Sequence, residues 1–411
     1  MKHLLILIPL VILSSLGASG SPYQVGNDEI LTSSSTPQDD SHPPISGDWQ
    51  LVFEDNFDYF DTSKWNADLP NQRKSVGSSD ACFFIPENVQ AKDGKLELIS
   101  RKQKLKFKNK HGKAIKKKYS SGQINRYAKF AQTYGYFEAR MKLPRSRGLW
   151  PAFWLMPNRI SPKIWSTFRE EDGQGMEIDI MEHLTEWGPD RFHYAAHWDG
   201  NKDERQSIGA AYRKASESEY RNFGLYWEKN LLIWFIDGQE IRRWESERIA
   251  DIPLHILLST EMGGWATNRI KNLPATTYID YVKVWSGKAQ LNPIADYGTE
   301  YTKRQGKWKD KGCYLISRKK DSSLTWQPKI TPGRYKIYAK WPETKKKLKA
   351  PAKFVIKHSN GKKEIVVNQK LNANYWYPLG KFTLGADHQI ELKAQNKAKV
   401  LISAIRYEKQ R

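Results

Sequence analysis

The chain has 411 residues and only two cysteines, Cys82 and Cys313. They fall in separate parts of the sequence, which excludes a disulfide framework and a cysteine-based metal site and leaves both as structural thiols. After the first 20 residues no stretch is long and apolar enough to span a membrane. No cysteine follows the one apolar run, so a lipoprotein anchor is not expected. Long amphipathic helical patterns are also missing, which excludes an all-α or α/β chain. Acidic residues are scarce at the C-terminal end: residues 291–411 hold 28 Lys and Arg against 9 Asp and Glu, a net +19 of the chain's +22. No nucleic-acid motif accompanies that charge, and a nucleic-acid partner is not expected.

What is present begins with a leader. Lys2 precedes the apolar run 4–13, and small residues end in Ala18-Ser19-Gly20. This is the layout of a secretory signal peptide with a cut before Ser21, so the mature chain is expected to be exported, extracellular or periplasmic. Residues 21–46 are Ser- and Pro-rich and read as a linker or disordered arm. From residue 47 to 287 short segments such as "WQLVFEDNF", "KLELISR", "YGYFEARMKL", "FHYAAHWDG" and "LLIWFIDGQEIRRW" alternate apolar and polar positions, several joined by Asp-Gly turns. An all-β domain, sandwich or barrel, is predicted. "RKQKLKFKNKHGKAIKKKYS" predicts a protruding hairpin with a lysine-rich face, either simply solvated or contacting a polyanion. Strand patterns resume after residue 291 in "GRYKIYAKW", "KFVIKH" and "VLISAIRYE", predicting a second, smaller β-sandwich over 291–411.

One segment violates its own pattern. In "GMEIDIMEHL", Glu177 and Asp179 alternate with Ile178 and Ile180, as in a strand with one apolar face. Glu182, five residues after Glu177, would then point into the core, where an unpaired carboxylate is costly. A β-bulge at Met181 returns it to the face of the other two acids. The two glutamate backbones are then about 13 Å apart, and sheet curvature and side-chain lean must bring the carboxyls toward the roughly 5–5.5 Å of a retaining glycosidase pair. Crowding raises the pKa of one carboxyl and suits it to act as a general acid. A wet strand face decorated with acids is the alternative reading.

E-I-D-I-M-E, with "YGYFEARMKLPRSRGLWPAFWLMP" before it and "YIDYVKVW" after it, resembles glycoside hydrolase family 16 over residues 47–287, in the branch whose signature carries the bulge. The resemblance implies a jelly-roll sandwich with a concave sugar cleft, Glu177 as nucleophile, Asp179 as its assistant and Glu182 as acid/base, with no cofactor for catalysis. "GLWPAFWLMP" and "EIDIMEH" are most similar to laminarinase-type β-1,3-glucanases. That likeness implies Trp150, Trp165 and Trp265 as sugar platforms and Asn88, Arg126 and His197 as polar sugar contacts. His183 is expected to support the site without acting as a catalyst. Family 16 domains often hold a structural calcium, which maps here to Glu54, the Gly94 carbonyl and Asp280.

The chain departs from laminarinases in "LLSTEMGGW", where Glu261 replaces a small residue, and in the long charged loop "NRISPKIWSTFREEDGQG". "PGRYKIYAKWP", "YWYPLGKFTLG" and "VLISAIRYE" resemble the golvesin-type sandwich appended to polysaccharide enzymes, which implies binding of carbohydrate or of an anionic or cell-surface polymer. The expected function is a secreted, monomeric, endo-acting retaining hydrolase of β-1,3-glucan. The alternatives are the same chemistry on an algal galactan of agar, porphyran or carrageenan type, or a non-catalytic glucan-binding protein.

Overall fold

Alternating segments fold into strands, and the described residues contain no α-helix. The computed structural model describes residues 41–411 except 71–73, 77–79, 109–111, 158–168, 171–172, 199–205, 320, 345–347, 349–350, 395–398 and 411. The leader, residues 21–40, Trp165 and the lysines at 345–347 therefore lie outside the described residues.

Two sheets form the larger sandwich. The cleft sheet has six strands, labelled here in chain order: β1 (Gln123–Asn125), β2 (Leu149–Pro157), β3 (Glu177–Glu182), β4 (Arg191–Trp198), β5 (Gln206–Arg213) and β6 (Leu254–Met262). Their spatial order is β5-β4-β3-β2-β6-β1. A ten-stranded sheet backs it, running from Gln239–Glu245 at one edge through Tyr220–Glu228, Gly135–Lys142 and Ala275–Ala289 to Lys95–Lys108 and beyond. Between them lies a core that includes Phe137, Phe153, Leu155, Ile178, Phe192, Trp227, Trp234 and Leu258. On β2 the alternation is visible residue by residue: Phe153 and Leu155 enter this core, while Ala152, Trp154 and Met156 form a separate cluster on the concave face.

The expected Asp-Gly turns are present. Asp93-Gly94 and Asp237-Gly238 both take positive φ at each position, the left-handed pair that matches strand twist. Lys102, Lys104, Lys106 and Lys108 are exposed on the expected hairpin, while Phe107 meets Phe83 edge-on at 5.0 Å. Cys82 is buried, Cys313 is exposed, and both are free.

The expected linker is shorter than its composition indicates. Ile45 packs with Trp49 and Leu291 against a second apolar cluster, and the Gln290 amide bonds to the Ser46 carbonyl at 2.7 Å. Residues 45–46 are thus tied to the chain's 289–291 region.

The C-terminal β-structure has sheets of four, five and three strands between residues 294 and 409. Its own core contains Trp326, Ile337, Trp341, Phe354, Ile390 and Tyr407. Trp341, which precedes the lysines at 345–347 in the sequence, is fully buried and donates from Nε1 to the Leu371 carbonyl. It offers no platform to a polymer. All described residues belong to one compact unit.

Candidate active site

The irregularity expected at the acid signature is present, one residue earlier than expected. Across β4, Asp179 pairs with Ala195 and Glu182 with His193, so three steps on β3 match two on its partner. Across β2, Asp179 pairs with Trp154 and Met181 with Phe153, leaving Ile180 as the residue without a partner. Ile178, Ile180 and Met181 all enter the core. The extra residue thus buries a third apolar side chain and returns Glu182 to the concave face, and the ladder irregularity costs less than a carboxylate inside the apolar layer.

Each acid on that face has defined partners. Asp179 is almost fully buried, with Oδ2 at 3.3 Å from His197 Nε2, and His197 Nδ1 lies 2.9 Å from Ser207 Oγ on β5. Glu182 Oε1 accepts the indole N–H of Trp150 at 3.1 Å, and Oε2 lies 2.9 Å from His193 Nδ1. Burial, and then the Asp179 charge, push the Glu182 pKa above the usual carboxylate range against the opposing pull of His193 and His197. Glu177 is half-buried opposite His197.

Trp150 meets Trp265 edge-on at 5.2 Å. Trp265 in turn meets His193 at 5.2 Å and Trp187 at 5.4 Å, and it remains 47% exposed, so its ring can meet a ligand. His193 and Trp187 were not anticipated from sequence. His193 shares strand parity with His197, but its pairing with Glu182 depends on the turn between β3 and β4. His183 points away: it is buried, its Nδ1 is 2.9 Å from the Arg191 carbonyl, and desolvation lowers its pKa to about 4.

Two expected sugar contacts are placed inside the domain. Asn88 is fully buried in a turn and donates from Nδ2 to Ser120 Oγ at 2.8 Å. Arg126 is buried among aromatic rings, its guanidinium carbon 3.7 Å from the Phe53 centroid and 4.8 Å from that of Phe130. Desolvation lowers its pKa to about 10, so it stays charged at neutral pH and is held by cation–π attraction. Both positions are set by packing, which residue type alone does not reveal.

The calcium expectation also fails on geometry. Glu54 Oε1 is 3.1 Å from Lys283 Nζ, and Asp280 is bonded to Arg140. These carboxylates are already matched to fixed cations, so the residues do not fit a divalent ion. Among the described residues, Glu177, Asp179 and His197 are the group whose ligand atoms gather within 4.8 Å. A metal there would occupy a carboxylate oxygen of Glu177, the residue expected to act as nucleophile.

Glu261 stands on β6 opposite Trp150. It is buried, and its Oε1 accepts from Ser259 Oγ at 2.9 Å; Ser259 Oγ accepts from Trp154 Nε1 at 3.2 Å. Burial and the charge of Asp80 hold its carboxyl well above the usual range. Beyond it, Gln123 and Asn125 donate to the Ala67 and Asp68 carbonyls, and Val76 covers the Trp154 cluster. The cleft sheet is thereby walled at its β1 edge.

Comparison with known proteins finds two family matches and several relatives. Residues 86–283 match glycosyl hydrolases family 16, and residues 290–409 match the Golvesin C-terminal domain. The chain is 27% identical over 303 residues to glucan endo-1,3-beta-glucosidase A1 of Niallia circulans, covering 66% of this chain and 42% of that protein. It is 27% identical over 260 residues to the beta-glucanase of Rhodothermus marinus, covering 58% of this chain and 85% of that protein. The solved catalytic domain of an endo-1,3-beta-glucanase (laminarinase) from Thermotoga petrophila RKU-1 aligns over 59% of this chain and 100% of its own length, with 26% identity and a TM-score of 0.49. The chain thus spans less than half of the Niallia protein.

Proposed function

We propose that this laminarinase-like family 16 glycosyl hydrolase, with its Golvesin C-terminal domain, is an exported, endo-acting retaining enzyme that cleaves β-1,3-glucan. The observation that carries the reading is the bulge that sets Glu177, Asp179 and Glu182 on one face, with Glu182 buried and its pKa raised. Glu177 attacks the anomeric carbon, the glycosidic C–O bond breaks, and the departing oxygen takes the Glu182 proton. The resulting Glu182 carboxylate then takes a proton from water, which displaces Glu177 and restores the original anomeric configuration. The Asp179 charge beside Glu182 favours the protonated form of Glu182.

Trp150 and Trp265 supply apolar faces for sugar rings. The floor favours a neutral polymer: it holds the carboxyls of Glu177 and Asp179 beside two acids held toward their protonated forms, and Asp179 and Glu182 contact histidines rather than lysine or arginine, so a sulfate would meet like charge rather than a fixed cation. Export rests on the leader-like residues 1–20, and N-terminal sequencing of secreted protein tests the cut before Ser21. Reducing-sugar release from laminarin, compared with agar, porphyran and carrageenan, tests the substrate. Cleavage of a galactan without cleavage of laminarin would overturn it.

A further inference from the structure

Strand β5 forms one edge of the cleft sheet, and Gln239–Glu245 forms an edge of the backing sheet. Such edges carry unpaired backbone groups that a fold must cover. Here the C-terminal domain bonds to backbone groups of β5 and to the side chain that begins the other edge. The Arg213 amide donates to the Ala373 carbonyl at 2.9 Å, Asn374 Nδ2 donates to the Ala211 carbonyl at 3.2 Å, and Tyr375 Oη donates to Gln239 Oε1 at 2.7 Å. Tyr375 is 2% exposed and belongs to the catalytic domain's core, which a loosely tethered module would not allow.

One contact continues into the cleft. Glu343 of the C-terminal domain accepts from Arg191 Nε at 3.2 Å and from Arg213 Nε and Nη2 at 3.2 and 3.1 Å. The Arg191 guanidinium carbon lies 4.1 Å from the Trp187 ring centroid. Trp187 meets Trp265 at 5.4 Å and His193 at 6.4 Å, Trp265 meets Trp150, and His193 contacts Glu182.

We propose that the C-terminal domain is a working part of the cleft, in which Glu343 is a positioning residue that holds Arg191 flat on Trp187 and so sets the aromatic wall beside the acid. The proposal rests on reading the cleft as a polysaccharide site. Arg213 is a built-in control: it shares the Glu343 carboxylate and also pairs with Asp190 at 2.8 Å, while Arg191 is the partner that lies over the tryptophan. A lysine at 191 keeps charge but loses the planar stack.

The test uses the full chain with Glu343→Gln, Arg191→Lys and Arg213→Lys. Glu343→Gln and Arg191→Lys should raise KM on laminarin about two- to fivefold, the worth of one cation–π contact, with kcat changed far less. Both should also change tryptophan emission and acrylamide quenching of the free protein. Arg213→Lys should lower the melting temperature and leave KM and emission alone. If Glu343→Gln and Arg191→Lys lower stability but leave KM and emission at wild-type values, the domain is only an edge cap and the positioning role is overturned. The emission arm needs no substrate, so it still decides if the wild-type protein cuts no glucan.

Discussion

Glu182 and His193 face each other across the antiparallel pair β3–β4, with Glu182 Oε2 and His193 Nδ1 2.9 Å apart. Trp150 holds the other carboxylate oxygen. The acid is thus fixed at both oxygens, and its proton is favoured by burial and by Asp179. For catalysis the sign is definite: a raised pKa keeps the general acid protonated at higher pH, and activity falls as pH rises through that pKa. Glu182→Gln should lower turnover of laminarin by about 10²- to 10⁴-fold, the usual share of general acid catalysis, and should flatten the alkaline limb of the pH profile. On aryl glycosides with very good leaving groups the first step should survive. Full activity on polymer would remove Glu182 from this role.

Glu177→Gln should abolish hydrolysis while leaving the fold intact, because the side chain is half-buried on the concave face and is not part of the core. In the wild-type protein, NMR of fresh products should show the retained anomer. Appearance of the inverted anomer would exclude the covalent route.

The β-sheet class, the Asp-Gly turns and the common face of Glu177, Asp179 and Glu182 were legible in the sequence because each follows from a local pattern. The bulge was legible as a parity conflict, and only its position shifted, from Met181 to Ile180. Asn88 and Arg126 were not legible, because an amide in a turn or a cation before an aromatic segment looks alike whether it faces a sugar or a ring of phenylalanines. His193 enters the site through pairing across a turn of unpredictable register, and Trp187 lies in that turn. The docking of the C-terminal domain was hidden for the same reason: Tyr375 reads as a strand aromatic, yet it fills the neighbouring domain's core.

Glu261 provides a stability test. Its folded pKa is raised, so the native state retains a proton that the unfolded chain releases. The stability this confers is fully present below the unfolded value, 4.5, and is lost as pH rises through the folded value. Glu261→Gln keeps a neutral, bonded side chain. Its melting temperature should match wild type near pH 4 and exceed it increasingly toward neutral pH. A constant difference across that range would show that Glu261 is not held protonated.

Tyr375→Ala should destabilise the whole unit by about 3 kcal/mol or more, as for deletion of a large buried aromatic side chain. It should produce one cooperative transition at lower temperature, because the ring lies in the catalytic core. Two separated calorimetric transitions in the wild-type protein would mean that the domains are not a single unit.

The last prediction concerns the charge of the C-terminal region. Its net +19 remains after the described lysines that have carboxylate partners are considered, such as Lys353 with Glu364 at 2.7 Å and Lys357 with Asp387 at 2.8 Å. Such exposed pairs add little stability, but the excess charge acts over about 8 Å at physiological salt. A neutral glucan would not respond to that field, whereas a sulfated or uronic polymer would. With no aromatic platform at Trp341, attraction should be electrostatic and weak. The full chain carrying Glu177→Gln, which cannot degrade the matrix, should therefore be retained on a sulfated polysaccharide at low salt and released as salt rises. Absence of retention, or retention indifferent to salt, would leave the lysines as guards of exposed sheet edges, a use that needs no ligand.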